Sequence, residues 1–383
     1  MNLASLVFFT IGCSLNTAFS YPPFDNFSKF YLLLGLTFYI LGNRIYLGAI
    51  FVICSFVVFS SVYSLFSFYG SDQVFKNLLN QIVFFLGSLG VANFISTVGD
   101  RPLRFLVWGI VAGCVVPFSM ILLVPFSDYN FSFGASSLNG LYSAVLDYNP
   151  TPTYKHLHSA YMVLVVLSVV ALTAFYQEGK GSAKVVLFIL IFAAIISRTL
   201  GVAVFIALIF SHLKRPWVKG FLLFTIYFCL INYVAFAFDM NPEEPRIQIW
   251  RGVLSSFYNG NFFGVGPFAA HDLLKSGSSV DVFLLGLSQS GLLGFESGVV
   301  WAICDLGLFA VTGLIIINIL IFSNCDARLS LPGFPSFHFD GYSLIYGLAA
   351  LSNHLFQPYF WLLLGFYFGI VRRGRIQSTQ LSG

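Results

Sequence analysis

Arg198 interrupts a long apolar stretch of the chain, where it is flanked by Ser197 and Thr199. If this stretch lies in a bilayer, an ionisable side chain there is costly to keep and indicates a function by default. A guanidinium group in a partly dry site would hold phosphate oxygens through charge-assisted hydrogen bonds. The alternative is structural, with Arg198 extending toward water and marking the end of a helix.

A second cluster of chemistry-bearing residues lies near position 250. Arg246 and Trp250 are four residues apart and would share one face of a helix, with Arg251 alongside. The two guanidinium groups are planar, permanently charged donors that suit phosphate oxygens. Alternatively, this is an amphipathic stretch on a membrane surface, with Trp250 as its interfacial anchor.

The residues that follow add a turn and a histidine. Gly264 and Gly266 predict a tight turn close to other backbone, and alone they are weak evidence for a phosphate-binding loop. His271, with Asp272 beside it and Lys275 one turn later, has the chemistry of a general base or a phosphate partner. A hydrogen-bonded surface histidine is the alternative. No His or Cys spacing matches a zinc site, so neither a metal nor another cofactor is expected.

Composition defines the elements that must position these residues. Only 9% of the 383 residues are charged, against about 25% in soluble proteins, whereas 58% are hydrophobic and the mean hydropathy is +0.86. This composition excludes a disordered chain and a disulfide-built secreted domain. The net charge of only +4, without a basic block, excludes a nucleic-acid binder. The six cysteines lie in or beside apolar runs, as small buried residues do. We therefore expect an all-α polytopic integral membrane protein.

Apolar runs of about 20 residues predict about twelve transmembrane helices, within a range of about 10 to 14. Segment 1–20 lacks a basic start and is interpreted as the first span rather than a signal peptide. Runs 184–197 and 201–211 are either two spans or one interrupted helix. The predicted spans are 3–20, 29–42, 46–68, 75–97, 103–125, 158–177, 184–197, 201–211, 220–237, 291–323, 341–353 and 358–371.

The cations predict the orientation, because cytoplasmic loops are enriched in Lys and Arg. With both termini in the cytoplasm, twelve cations fall on that side and seven on the other. The chain then divides into N-terminal helices (1–125), a long outer loop (126–157), central helices (158–237), a partly helical outer loop (238–290), and C-terminal helices with a cytoplasmic tail (291–383). His156, His158, His271 and His354 share the outer side.

Four motifs in order resemble a known family over roughly residues 150–371. They are Ser197-Arg198, Arg246-x-x-x-Trp250 with Gly264-Val265-Gly266, Leu284-x-x-Leu287-x-x-x-Gly291-x-x-Gly294, and Gln357-Pro358-x-x-Trp361-x-Leu363-x-Gly365. The pattern resembles the O-antigen polymerase and O-antigen ligase superfamily. The resemblance implies a metal-independent C-type glycosyltransferase at the periplasmic face of the bacterial inner membrane. Its donor and acceptor would be undecaprenyl-diphosphate-linked oligosaccharides, with membrane lipid and a chain-length-regulating membrane protein as further candidate partners.

The resemblance also implies roles for individual residues. Family arginines that hold the diphosphate correspond to Arg198 and Arg246, with Arg251 as a further candidate. The usual ligase His is absent, because Asp281 stands in the corresponding segment; either Asp281 or His271 would assist the acceptor hydroxyl. Lower-ranked substrate contacts are Lys275, Trp250, His156, His158 and His354. This departure favours a polymerase over a ligase, and a transporter or flippase of lipid-linked sugars is the second alternative.

Overall fold

The computed structural model describes residues 33–35, 37, 41, 54, 58, 71–98, 198–237, 245–267, 297–325, 328–331, 334–351 and 358–382. Its elements in chain order are α1 Ser71–Thr97, α2 Arg198–His212, α3 Pro216–Asn232 with a π-helical turn Tyr233–Ala237, α4 Pro245–Tyr258, α5 Gly298–Leu306, α6 Leu308–Cys325, β1 Arg328–Leu331, β2 Phe334–Asp340, α7 Gly341–Ala350 and α8 Pro358–Ser382. The predicted spans 3–20, 103–125, 158–177 and 184–197 lie outside the described residues.

Helices α1 and α8 pack side by side and run parallel. Near the start of α8, Trp361 Nε1 donates a hydrogen bond of 3.1 Å to Gln81 Oε1. Near its end, Arg373 Nη1 donates to the carbonyl of Ile95 at 3.2 Å and to that of Val98. Because the last carbonyls of a helix lack partners within it, Arg373 caps the end of α1.

Two glycines allow these helices to approach closely. A Cβ on Gly365 would collide with the carbonyl of Ser88, and one on Gly369 would lie 2.6 Å from Cβ of Ile95. Small residues four apart on one helix face are a common means of close packing between apolar helices. The last motif of the family resemblance, which ends at Gly365, therefore lies in a helix interface.

A second group comprises α2, α3, α6 and α7. Gly220 on α3 packs against the backbone of α6, where a Cβ would lie 2.5 Å from Ile319 N. Gly347 on α7 faces both Tyr227 of α3 and Ala203 of α2. The ring of Tyr342 on α7 lies 6.4 Å from that of Tyr367 on α8, which joins the two groups.

These contacts define two ends of the helix assembly. The end that holds His212, Pro216 and Asp340 is called the lower end, and the end that holds Arg198 and Ala235 is called the upper end. The described cations fall into the two groups that the sequence separates. Those at the lower end are Lys214, Arg215, Lys219, Arg328, Arg372, Arg373 and Arg375, and those at the upper end are Lys76, Arg198, Arg246 and Arg251. Which end faces the cytoplasm stays a prediction.

Two helices among the described residues are long and apolar enough to cross a membrane, Leu78–Thr97 and Pro216–Ala237. Helix α6 is apolar on all sides, yet several of its large side chains are not covered by protein. These are Leu308, Phe309, Ile316, Ile317 and Leu320. Such a surface suits lipid better than water. The expectation of apolar helices is supported, whereas the number of about twelve spans stays a prediction.

The apolar run predicted as one span over 291–323 is not one continuous helix, because the helix breaks at Gly307. Gly307 adopts φ 54°, and the next residue, Leu308, donates its N–H to the carbonyl of Phe262 at 2.7 Å. A Cβ on Gly307 would collide with that same carbonyl. A loop from elsewhere in the chain therefore divides the apolar run into α5 and α6.

The described chain is predominantly helical, which supports the all-α expectation, and it contains one short pair of strands. Strands β1 and β2 form an antiparallel pair in which Arg328 lies opposite Asp340. The intervening Pro332-Gly333 is a turn-forming dipeptide, and Phe337 and Phe339 alternate with polar neighbours, a pattern typical of strands. The rest of the described chain is helical or connects helices. Helix α8 also continues to Ser382, beyond the predicted end at 371.

Candidate functional site

Helix α4 contains the predicted cluster around position 250. Pro245 begins it, a first-turn position that suits proline because no hydrogen bond is lost there. Its apolar face is buried within the protein, and Trp250 is only 4% exposed. Trp250 is thus a core residue, and the alternative of a tryptophan anchored in the lipid interface is wrong. Stacking of Trp250 on a sugar would require its side chain to leave this core.

Arg251 joins α4 to the end of α3. Its Nε donates a 2.8 Å hydrogen bond to the carbonyl of Ala235, which lies in the π-helical turn that ends α3. Carbonyls at a helix end lack partners within the helix, and a cation is favourable near them. The guanidinium is half-buried, and its two terminal amino groups take no part in this bond. Arg251 is therefore held in place with donors left over for a ligand.

The backbone positions of Arg198 and Arg246 belong to the same end of the molecule. Arg198 begins α2, five residues or about 7.5 Å along the helix from Ala203, which faces the middle of α7. Arg246 is the second residue of α4, five residues before Arg251. The three predicted diphosphate ligands thus share the upper end of the assembly.

The tight turn predicted at Gly264 and Gly266 is confirmed. The N–H of Val265 donates to the carbonyl of Cys304, and that of Gly266 to the carbonyl of Asp305, both at 2.9 Å. Gly264 has φ 72°, and a Cβ there would lie 2.5 Å from Asp305 O. Because these two amides are already bonded to α5, they cannot cradle a phosphate.

Six of the predicted site residues lie outside the described residues: His271, Asp281, Lys275, His156, His158 and His354. Within the described part, no group of three or more His, Cys, Asp or Glu side chains is arranged to hold a metal ion.

A buried ion pair at the lower end was missed by the sequence analysis. Lys219 Nζ lies 3.0 Å from Asp340 Oδ2, and both side chains are 0% exposed. Lys219 also lies over the ring of Phe322, 5.2 Å from its centroid. Asp340 Oδ1 accepts the N–H of Ser343 at 2.8 Å and caps α7. The signals available in the sequence were a lysine inside an apolar helix and an Asp before an apolar run.

Comparisons of the chain with protein-family models, with curated proteins and with solved structures found no match. The resemblance to the O-antigen polymerase and ligase superfamily therefore stays a prediction that depends on the residues quoted for it.

Proposed function

We propose that this protein polymerises lipid-linked glycan repeat units at the periplasmic face of the bacterial inner membrane. The observation that supports the proposal is the common location of Arg198, Arg246 and Arg251 at one end of an assembly of apolar helices. Cations are scarce in this chain, so three arginines at one end of such helices favour an anionic substrate.

The chemistry requires little beyond positioning and cations. The acceptor sugar hydroxyl attacks the anomeric carbon of the donor, the bond from that carbon to the diphosphate breaks, and undecaprenyl diphosphate leaves. The arginines would stabilise the negative charge that develops on the leaving diphosphate. His271 or Asp281 would accept the proton of the attacking hydroxyl. Arg251, already oriented by the Ala235 carbonyl, would bind without a large loss of side-chain freedom.

Replacement of Arg246 by Ala tests this proposal. We expect long glycan chains to disappear while single repeat units remain, because diphosphate binding is lost and the supply of units is not. Arg372, an exposed arginine at the lower end, gives the matched control Arg372→Ala, which should retain a normal glycan ladder. A wild-type ladder in correctly folded Arg246→Ala would refute the assignment.

The ligase alternative predicts a different result on gene deletion. A lost polymerase leaves one repeat unit attached to the lipid A core, whereas a lost ligase leaves none. The glycan ladder of a deletion strain therefore separates the two reactions without a purified enzyme.

The transporter alternative is favoured by the buried Lys219–Asp340 pair, because charged groups between apolar helices often mark ion or substrate paths. The pair is closed, however, with each side chain contacting further residues of α6 or α7. Proteoliposomes that contain only this protein and a lipid-linked saccharide would separate the functions. Movement of the saccharide between leaflets without chain growth would support transport and contradict polymerisation.

A further inference from the structure

A column of buried polar side chains crosses the junction of α3, α6 and α7. Each of its members is at most 2% exposed, although the helices around them are strongly apolar. The polar column consists of Lys219, Tyr227, Asn318, Asp340, Tyr342, Ser343 and Tyr346. Because buried polar groups in such surroundings are costly unless they are bonded, the column needs an explanation.

The lower part of the column is well bonded. It begins with the Lys219–Asp340 pair, and Asp340 continues to the N–H of Ser343. One layer farther, the Tyr342 hydroxyl donates to Asn318 Oδ1 at 2.7 Å. These bonds join α3, α6 and α7 within about two helical turns.

The upper part of the column is not completely bonded. The rings of Tyr227 and Tyr346 are 5.7 Å apart, and the Tyr346 hydroxyl lies near Asn318 but outside hydrogen-bonding geometry. Four buried atoms of the polar column have no hydrogen-bond partner among the described residues. They are Tyr227 Oη, Tyr346 Oη, Asn318 Nδ2 and Ser343 Oγ. The first three belong to side chains that lie close together, Tyr227 beside Tyr346 and Tyr346 beside Asn318. Such a group indicates a bound polar ligand, since buried polar groups are almost always satisfied.

We propose that the upper part of the polar column is an internal hydration site that binds water between α3, α6 and α7. The unpartnered atoms comprise an amide donor, Asn318 Nδ2, and hydroxyls that both donate and accept. These atoms carry no formal charge, so a neutral ligand that both donates and accepts suits them better than an ion. Water both donates and accepts, and buried water typically binds groups that protein atoms leave unsatisfied. This inference does not depend on the proposed glycosyl transfer.

Three matched Tyr→Phe variants of the full-length protein in detergent test the proposal through the Tm. Tyr342→Phe is the reference, because it deletes the observed bond to Asn318 and should lower the Tm. If water binds the other two hydroxyls, Tyr227→Phe and Tyr346→Phe should also lower the Tm, each by about 2 °C. If no ligand binds those hydroxyls, replacing Tyr by Phe removes the free-energy cost of burying an unbonded hydroxyl. An unchanged or higher Tm for both variants would overturn the proposal.

A salt series identifies the ligand. The Tm difference between wild type and Tyr227→Phe should be the same in sodium, potassium and chloride-free buffers if the ligand is water. If one ion raises the wild-type Tm in a saturable way and does not raise the Tm of Tyr227→Phe, that ion rather than water is the ligand. This result would overturn the proposal. An experimental structure that resolves ordered water should show density within hydrogen-bonding distance of Tyr227 Oη, and a dry contact there would overturn the proposal.

Discussion

The two ends of the helix assembly use charged side chains differently. At the lower end, Lys219 is fully buried, and its charge is matched by Asp340 at 3.0 Å. At the upper end, Arg251 is half-buried and uses one nitrogen to bond a backbone carbonyl. A buried charge that is paired within the protein suits a structural role. A guanidinium that is held in place by one bond and keeps other donors for a ligand suits binding. Burial and completeness of pairing, rather than charge alone, separate these roles.

A second arginine sharpens this comparison. Arg373 at the lower end bonds the carbonyls of Ile95 and Val98 at the end of α1, as Arg251 bonds Ala235 at the end of α3. Both residues therefore stabilise the end of a neighbouring helix. If the upper end is the site of glycosyl transfer, Arg251→Ala and Arg373→Ala should differ in activity and resemble each other in stability.

The largest effect is expected from removing one partner of the buried pair. Lys219→Met leaves the Asp340 carboxylate buried without its cation and should destabilise the protein by about 3–5 kcal/mol. The double variant Lys219→Met with Asp340→Asn removes both charges and keeps an N-cap residue for α7, so most of that loss should be recovered. Chemical unfolding in detergent measures both. A double variant as unstable as the single one would contradict a structural ion pair.

A smaller effect on stability, with a large difference in activity, is expected from the two arginine caps. Arg251→Ala removes one hydrogen bond from a charged donor, and Arg373→Ala removes the bonds to Ile95 and Val98. Each variant should cost about 1–3 kcal/mol. Only Arg251→Ala should shorten the glycan chains, because only Arg251 lies beside the proposed diphosphate site. The glycan ladder per amount of folded protein is the measurement. Equal shortening by Arg373→Ala would remove the distinction between the ends.

The parts of the fold that depend on local sequence were predictable. Uniform apolar runs predicted helices over 75–97 and 220–237, close to the observed Ser71–Thr97 and Pro216–Asn232. The break at Gly307 was not predictable, because the residues on both sides of it are apolar. It depends on the carbonyl of Phe262, which a separate loop brings to it.

The candidate site was predictable only in part, for a related reason. Arg198, Arg246 and Arg251 stand out because charge is scarce in apolar sequence. The bond of Arg251 to a backbone carbonyl has no sequence signal, because every residue has one. The Lys219–Asp340 pair joins residues 121 positions apart, and only packing of α3 against α7 brings them together. The burial of Trp250 likewise depends on the elements that pack against α4.

The smallest effect should come from Tyr258, which also holds α4 to α3 at the upper end. Its hydroxyl donates a 2.5 Å hydrogen bond to Asn232 Oδ1, while the residue stays 52% exposed. Tyr258→Phe should therefore cost at most about 0.5–1 kcal/mol, much less than loss of the sealed pair.

The pH dependence of this contact has a defined sign. Partial burial raises the pKa of Tyr258 above 10.0, and the bond to Asn232 lowers it by a smaller amount. The pKa of Tyr258 is higher in the folded than in the unfolded state. The contribution of its hydroxyl to the free energy of unfolding is therefore complete below about pH 10, and it declines as the pH rises through the folded-state pKa. The Tm difference between wild type and Tyr258→Phe should be constant from about pH 7 to 9 and shrink above about pH 10. A difference that grows with pH would mean that the ionised phenol is the favoured form, and that the upper end stabilises anions weakly even without substrate.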